Sequence, residues 1–306
     1  MAPRARQRRV TAADAEFDFL APRHDVPTGG RSGFTIVGER QVHYLEWGRS
    51  AASPVVCLHG GGQTAYMWEE LGVALAPTHH VFAPDLPGHG DTDPVEEMDR
   101  RSLAATIPPL LDEIGIERAA FVGASLGGIV SLTLAADEPG RVAAISLIDI
   151  GHRLEDEGVN RIIDFMTRHE SFASPEEAAV EVAEYLPHRR QVNADNLRRN
   201  LRELPDGRWV WKHMFARRLR GVGPPVGGWR ELVAGMDREA ASLTCPVLVL
   251  RGAASDVLSN EGAEEIATLI PDARLATVGS AGHHAAGDNP ETTVDLVRAF
   301  LAEKGW

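Results

Sequence analysis

Ser125 has the residue type and the local setting of a nucleophile for acyl transfer. It stands between Gly123 and Gly127 in the pattern G-x-S-x-G, where an apolar run ends and a helical pattern begins at once. This pattern is typical of a sharp strand-to-helix turn that exposes a serine hydroxyl, with glycines where the backbone comes too close for a Cβ atom. An ordinary helix N-cap, the alternative, does not need these glycines. We therefore expect Ser125 to be a nucleophile.

A nucleophilic serine needs a general base, and the base needs an acid that orients it. His283 follows Gly282 shortly after the predicted strand 274–278, and Asp256 follows the predicted strand 247–251. Parallel strands end at the same edge of a sheet, so both loops should meet the loop of Ser125 there. The sequence thus predicts His283 as the base and Asp256 as the acid.

Each of these partners has an alternative nearby in the sequence. Asp149 ends the preceding predicted strand and is a second candidate acid, although we expect it to brace the loop or the base of a cap. His284 is a second candidate base. Adjacent residues point in different directions, so only one of the two histidines can face Ser125. We expect His283 to do so because it follows Gly282 directly.

The negative charge that develops during acyl transfer needs fixed N–H donors, which form an oxyanion hole. Leu126 is placed to supply one, because it begins the helix whose positive end faces that charge. Gly61 in the run His59-Gly-Gly-Gly is expected to supply the other, since glycines let backbone N–H groups approach a substrate closely. A flexible turn is the alternative interpretation of the glycines. We expect His59 to brace the loop.

The elements that would position these residues follow an α/β pattern. Short apolar runs alternate with helical patterns over residues 31–150 and again over residues 236–306, which predicts βαβ units and a mainly parallel sheet. Residues 1–30 are expected to form an irregular N-terminal arm. Residues 151–235 contain no convincing buried strand, and their amphipathic stretches predict an inserted helical cap. These stretches are 161–169, 175–185 and 195–204.

Five motifs in this order resemble the α/β-hydrolase fold family with an inserted helical cap: HGGG, DLPGHG, GASLGG, RGAASD and GHH. The resemblance covers about residues 32–150 and 236–303. It implies a twisted, mainly parallel sheet flanked by helices and a triad in the order Ser…Asp…His. The family includes carboxylesterases, lactonases, carbon–carbon bond hydrolases, cofactor-free haloperoxidases, dehalogenases and epoxide hydrolases, so the resemblance alone does not name a substrate.

Two features of the sequence exclude some of these enzyme classes. Dehalogenases and epoxide hydrolases of this fold carry an aspartate where this chain has Ser125, and the epoxide hydrolases also use two cap tyrosines where the cap here offers Tyr185. Ser125 predicts an acyl-enzyme and thus an ester, lactone, thioester or amide as substrate. Of these, we expect an open-chain ester or a lactone. Hydrolysis of a carbon–carbon bond in a diketone-like substrate is the alternative reaction. A small-molecule receptor on the same fold is a further alternative, which the complete set of catalytic residues disfavours.

Large apolar side chains in the predicted cap are candidates for the substrate pocket. If they line the pocket, the substrate is apolar and fairly bulky; if they pack against one another, they are the core of the cap. The candidates are Trp209, Trp211, Met214, Phe215 and Trp229.

Composition sets the remaining expectations. The net charge of −13 argues against nucleic acid or an anionic membrane as partner. The arginines near the N-terminus precede no apolar run, and Cys57 and Cys245 are expected to be free thiols, so we expect a cytoplasmic protein. We find no metal-ligand spacing and expect no cofactor. Because Lys212 and Lys304 are the only lysines among 31 basic residues, we expect a GC-rich, bacterial source. The sequence is compatible with a homo-oligomer.

Overall fold

A twisted sheet of eight strands carries the fold. The computed structural model describes residues 26–186, 192–214 and 228–306. The described residues form ten strands, eight in this sheet and two in a smaller one. They are β1 Arg31–Val37, β2 Arg40–Trp47, β3 Ser53–Leu58, β4 His79–Pro84, β5 Ala119–Ala124, β6 Val142–Ile148, β7 Leu201–Glu203, β8 Trp209–Trp211, β9 Val247–Gly252 and β10 Ala273–Val278. The large sheet has the order β1-β2-β4-β3-β5-β6-β9-β10, and β7 pairs with β8 in a separate two-stranded sheet. Strand β2 is antiparallel to β1 and β4, and the other neighbours are parallel. The predicted α/β class is confirmed.

Helices connect the strands and cover both faces of the sheet. They are α1 Glu69–Leu75, α2 Arg100–Ala104, α3 Ile107–Ile114, α4 Leu126–Asp137, α5 Asp156–Arg168, α6 Pro175–Tyr185, α7 Ala194–Leu197, α8 Trp229–Val233, α9 Met236–Ser242, α10 Asn260–Leu269, α11 Ala285–Asp288 and α12 Pro290–Glu303. Short 3-10 helices lie at Ala65–Trp68, Pro139–Arg141 and Arg198–Asn200. No helix in the described part of the chain is both long and apolar enough to span a bilayer.

The central strands are apolar on both faces because both faces are covered. Every residue of β5, β6 and β9 is buried. Within β5, Phe121 belongs to the apolar cluster on one face and Val122 to the cluster on the other, and Leu147 and Ile148 of β6 divide in the same way. This alternation is the two-residue period of a strand. Packing on both faces fixes the carboxyl ends of these strands, where the loops that carry Ser125 and Asp256 begin.

Residues 151–235 lie between β6 and β9, and we call them the insertion. Its helix α6 has the predicted bounds, but the predicted helical stretch 195–204 ends at Asn200 and continues as strand β7. Strands β7 and β8 are joined by a turn at Pro205-Asp206-Gly207, in which Gly207 has a φ of +81°. The P-D-G run is a turn signal, and it explains why this segment forms a hairpin rather than a helix.

Both cysteines are buried free thiols, as expected. Burial raises the pKa of Cys57 far above its ordinary value and raises that of Cys245 to about 11. Both side chains therefore stay protonated and act as packing groups.

Candidate active site

Ser125 lies on a tight elbow between β5 and α4. Its backbone has a φ of +48° and a ψ of −114°, in a region that residues other than glycine rarely adopt. A Cβ atom at Gly123 would collide with the carbonyl group of Gly127, and one at Gly127 would collide with the carbonyl group of Leu58. The two glycines of the motif are therefore required by close backbone packing around the serine.

His283 is held by a buried carboxylate. It follows β10, and its Nδ1–H donates to Oδ2 of Asp149 over 2.8 Å. The side chain of Asp149 is fully buried and that of His283 is 5% exposed. Because Nδ1 carries the proton in this hydrogen bond, neutral His283 has an unprotonated Nε2, which is the atom that a general base uses.

Asp149 is itself held from several sides. Its Oδ1 accepts from the N–H of Gly252 at 2.8 Å, and its Oδ2 accepts from the Oγ–H of Ser255 at 2.5 Å as well as from His283. These donors offset the cost of burying a charge. The backbone of Asp149 has a φ of +53°, a second left-handed residue beside the elbow.

The structure contradicts the expectation that Asp256 orients His283. Its Oδ2 instead lies 2.7 Å from Nη2 of Arg161 on α5, and its side chain is 36% exposed. The loop after β9 carries Asp256 toward the insertion, while Ser255 turns inward to Asp149. The acid beside His283 is therefore Asp149, which the sequence had offered as the alternative.

The sequence contained a signal for this arrangement. Strands β6 and β9 are parallel neighbours, so an acid after either strand reaches the same edge of the sheet. Asp149 directly follows a buried strand and lies between Ile148 and Ile150, whereas Asp256 follows the end of β9 only after Ala253, Ala254 and Ser255. Apolar neighbours on both sides indicate a buried position, where a carboxylate needs several partners.

His284 turns away from Asp149. The two adjacent histidine rings are inclined by 71°, with centroids 5.4 Å apart. The Nδ1 of His284 accepts from the side-chain amide of Gln63 at 3.3 Å, and its ring meets the ring of Tyr185 edge-on at 6.0 Å. His283 has the buried carboxylate partner that the predicted chemistry needs.

The glycine run after β3 is braced by two buried histidines. His59 donates from Nδ1 to the carbonyl oxygen of Gly60 at 2.8 Å, and its Nε2 accepts from the N–H of Leu86 at 2.9 Å. His89 donates from Nε2 to the carbonyl oxygen of Gly61 at 2.8 Å. Burial, helped by the nearby His89, lowers the pKa of His59 to about 4. His59 is therefore neutral near pH 7 and braces the loop, as expected.

These elements meet at one large cavity of about 1350 Å³. Ser125, His283, Gly61 and Leu126 all border it. From the insertion, Trp211, Met214 and Trp229 border it as well.

Trp209 does not border the cavity formed by the described residues, which corrects one predicted pocket residue. Its backbone pairs with that of Phe172, and the guanidinium of Arg198 lies 5.2 Å from its ring centroid. Trp209 and Trp211 are two residues apart on β8 and therefore lie on the same face, where both pack in one apolar cluster. Trp211 reaches the cavity and Trp209 does not. Phe215, a further predicted pocket residue, lies outside the described residues.

Several ion pairs join the insertion to the rest of the chain. Arg161 pairs with Asp256, and Arg199 pairs with Glu69 of α1. Arg202 and Lys212 both lie 2.8 Å from the carboxylate of Asp91. In each of these pairs the cation belongs to the insertion. The anion belongs to residues 31–150 or 236–306, which we call the sheet domain.

A second hydrogen-bonded Ser–His–Asp chain lies away from the cavity. Ser32 of β1 donates from Oγ to Nε2 of His43 at 2.9 Å, and Nδ1 of His43 donates to Oδ2 of Asp85 at 2.6 Å. Burial alone would raise the pKa of Asp85, but the attraction and hydrogen bond of His43, with the N–H of Ala65, hold it well below its usual range. Ser32 stands on an extended edge strand, and this chain of bonds braces the loop after β4.

Among the described residues, no group of three or more His, Cys, Asp or Glu side chains lies together as metal ligands would. The side chains that meet at the cavity are a serine on an elbow, a histidine with a buried acid partner and a glycine-rich loop. Such a set can carry out nucleophilic attack on a carbonyl carbon with general-base assistance.

The sequence was also compared with known proteins. A model of the alpha/beta hydrolase fold matches residues 53–290. The esterase Rv0045c of Mycobacterium tuberculosis is 29% identical over 276 residues, which cover 85% of this chain and 86% of the relative. A pimeloyl-acyl-carrier protein methyl ester esterase of Aromatoleum aromaticum is 32% identical over 255 residues, which cover 79% of this chain and 96% of the relative.

Solved structures give the same architecture. The crystal structure of E-2-(acetamidomethylene)succinate hydrolase superposes with a TM-score of 0.77 at 23% identity. The match covers 89% of this chain and 99% of that one. At this identity the likeness concerns the fold.

Proposed function

Because the chain belongs to the alpha/beta hydrolase fold family, we propose that it is a serine hydrolase that cleaves a carboxylic ester or a lactone through an acyl-enzyme. One observation carries the proposal: the hydrogen bond from His283 to the buried Asp149, at the same cavity as the strained elbow of Ser125. Esterases among the relatives support the ester as substrate class.

In the proposed reaction, the Oγ of Ser125 attacks the carbonyl carbon and its proton passes to Nε2 of His283. Asp149 keeps the proton on Nδ1, orients the ring and stabilises the imidazolium that forms. This assignment replaces Asp256 by Asp149 in the predicted triad and keeps Ser125 and His283 in their predicted roles.

The oxyanion that forms in this step is proposed to accept hydrogen bonds from the N–H groups of Leu126 and Gly61. Leu126 is the first residue of α4, so its N–H has no acceptor within the helix. Collapse of the intermediate breaks the ester C–O bond, and the departing oxygen takes the proton from His283. Water, deprotonated by His283, then attacks the acyl-enzyme and releases the acid.

We propose that the insertion acts as a cap that selects the substrate. Its side chains close one side of the cavity, and many of them are apolar, including Trp211, Met214 and Trp229. An apolar acyl or alcohol group fits such a wall. The ion pairs of Arg161 and Arg199 with the sheet domain would hold the cap closed.

Ser125→Ala tests the nucleophile. We expect this variant to fold and to lose all measurable hydrolysis of chromogenic esters, and wild type to take up one equivalent of a fluorophosphonate at Ser125. Ser32→Ala is the matched control, because Ser32 also donates to a histidine that an aspartate holds. It should keep full activity and full labelling.

A substrate panel then separates the alternatives. Aryl esters, lactones and vinylogous diketones should be compared as kcat/KM. Faster turnover of the diketones would favour carbon–carbon bond hydrolysis. Binding of panel compounds with no turnover and no labelling of Ser125 would favour a receptor.

A further inference from the structure

Gln63 connects two loops that both border the cavity. Its Oε1 accepts from the N–H of Gly60 at 3.2 Å, and its Nε2 donates to Nδ1 of His284 at 3.3 Å. Gly60 belongs to the glycine run, and His284 is the residue after His283. One side-chain amide therefore ties the proposed oxyanion loop to the loop that carries the proposed base.

The backbone of Gln63 completes a second contact with the glycine run. Its N–H donates to the carbonyl oxygen of Gly60 at 3.1 Å, and that oxygen also accepts from His59. The carbonyl of Gly60 and the N–H of Gly61 belong to one planar trans peptide, in which they point in opposite directions. The residues that fix the carbonyl of Gly60 therefore set the direction of the Gly61 N–H.

This loop lies directly beside the elbow. A Cβ atom built on Gly60 would lie 2.7 Å from Oε1 of Gln63 and 3.6 Å from Cβ of Ser125. A small rotation of the Gly60 peptide would therefore move the proposed donor relative to the serine. Misplacement of about 1 Å is enough to lower a catalytic rate by about 100-fold.

We propose that Gln63 is a positioning residue, which aligns the Gly61 N–H with Ser125 and keeps the oxyanion loop in register with the His283 loop. This inference rests on the proposed function. His284 is the other end of the bridge, and Tyr185 of the insertion packs edge-on against it, stacked in turn on Phe165 with ring centroids 4.1 Å apart. The bridge thus ends against the wall that the proposed cap supplies.

The test compares Gln63→Leu with wild type. Gln63→Leu removes both side-chain hydrogen bonds at similar size, and we expect kcat to fall by about 10- to 100-fold while KM changes by less than about 3-fold. A trifluoromethyl ketone forms a tetrahedral oxyanion on the serine, so its inhibition constant should rise by the same factor as kcat/KM falls. A purely structural role would lower the melting temperature without linking these two factors.

Further variants separate the two ends of the bridge. Gln63→Glu keeps the acceptor for Gly60 but loses the amide donor to His284 and adds a negative charge beside the proposed oxyanion, so its kcat should fall at least as far as that of Gln63→Leu. His284→Leu removes the acceptor, whereas His284→Asn keeps an amide oxygen near the position of Nδ1 and should restore most of the rate. Gln63→Leu combined with His284→Leu should lose much less than the product of the single losses.

Gln41→Leu is the matched control, since Gln41 is exposed and its amide donates to the carbonyl oxygen of Asp91 away from the cavity. It should behave as wild type. If Gln63→Leu instead keeps the wild-type kcat and inhibition constant while the fluorophosphonate still labels Ser125, the positioning role of Gln63 is overturned and the proposed function stands. A wild-type protein that is inert toward both esters and the phosphonate would overturn both.

Discussion

The sheet domain and the insertion differ in the size of the apolar core that each forms. In the sheet domain, strands such as β5 and β6 are buried at every residue, and polar groups such as Asp149 and His59 are enclosed with their partners. The insertion has a small apolar cluster of its own around Phe172 and Trp211, places Met214 and Val233 in the core of the sheet domain, and forms ion pairs with that domain. The groups proposed to react lie on the sheet domain with its large core, and the groups proposed to select lie on the insertion with its small one.

Asp149 and Asp256 show a contrast in burial at the scale of one side chain. They follow neighbouring parallel strands, yet the first is fully buried and the second is 36% exposed. An exposed ion pair contributes about 0–1 kcal/mol. Each hydrogen bond to a buried carboxylate contributes about 1.5–3 kcal/mol. Only the buried acid is held firmly enough to fix the orientation of another side chain.

The largest expected effect tests this contrast directly. Asp149→Asn should lower kcat by about 10⁴-fold, because the imidazole loses the carboxylate that sets its tautomer and orientation. Asp256→Asn should lower it by less than about 3-fold, since it weakens one exposed pair with Arg161. Steady-state kinetics with one chromogenic ester measure both. A larger loss in Asp256→Asn would return the role of acid to Asp256.

The next effect concerns the two tryptophans of the insertion that border the cavity. Trp211 is 6% exposed and meets Phe172 edge-on at 5.2 Å, whereas Trp229 is only partly buried. Trp211→Ala should destabilise the insertion by about 3 kcal/mol, as expected when a buried aromatic ring is removed. Trp229→Ala should change the ranking of ester substrates with little loss of stability.

Thermal melts together with kcat/KM for a series of acyl chains decide this pair. If Trp229→Ala lowers the melting temperature and keeps the wild-type ranking, Trp229 is a packing residue of the insertion. If Trp211→Ala leaves the melting temperature unchanged, the contrast between a packing and a selecting tryptophan is wrong.

The smallest expected effect is a dependence of the unfolding free energy on pH, which arises from His59 in the sheet domain. The pKa of His59 is lowered from 6.5 to about 4, first by burial and then by the nearby His89. Between pH 6.5 and about pH 4, His59 therefore binds a proton in the unfolded chain but not in the folded protein. The stability that comes from neutral His59 is complete above pH 6.5 and is lost as the pH falls from 6.5 toward 4.

Urea unfolding of wild type and His59→Gln at several pH values measures this contribution. The difference in unfolding free energy between the two should shrink between pH 7.5 and pH 5, because only wild type carries the titrating group. A difference that stays constant over this range would show that His59 is protonated as easily in the folded protein as in the unfolded chain.

The sequence predicts the parts of this molecule that depend on local pattern. The elbow of Ser125 needs glycines at fixed offsets, and the sheet needs apolar runs at regular spacing, so both are visible in the residues. The choice between Asp149 and Asp256 is not local, since it depends on which loop turns inward over β9. The depths of Trp209 and Trp211 depend on a hairpin that amphipathic spacing had suggested to be helical.

The bond pattern Ser32–His43–Asp85 has a consequence for how such molecules are recognised. A search for three side chains in the order serine, histidine, aspartate, with hydrogen-bond distances as the criterion, returns this group, with bonds of 2.9 and 2.6 Å. Side-chain geometry is therefore too weak a template on its own. A useful template adds the left-handed serine backbone and a neighbouring cavity, both of which mark Ser125. One polypeptide thus supplies both the proposed target and the decoy for calibrating that search.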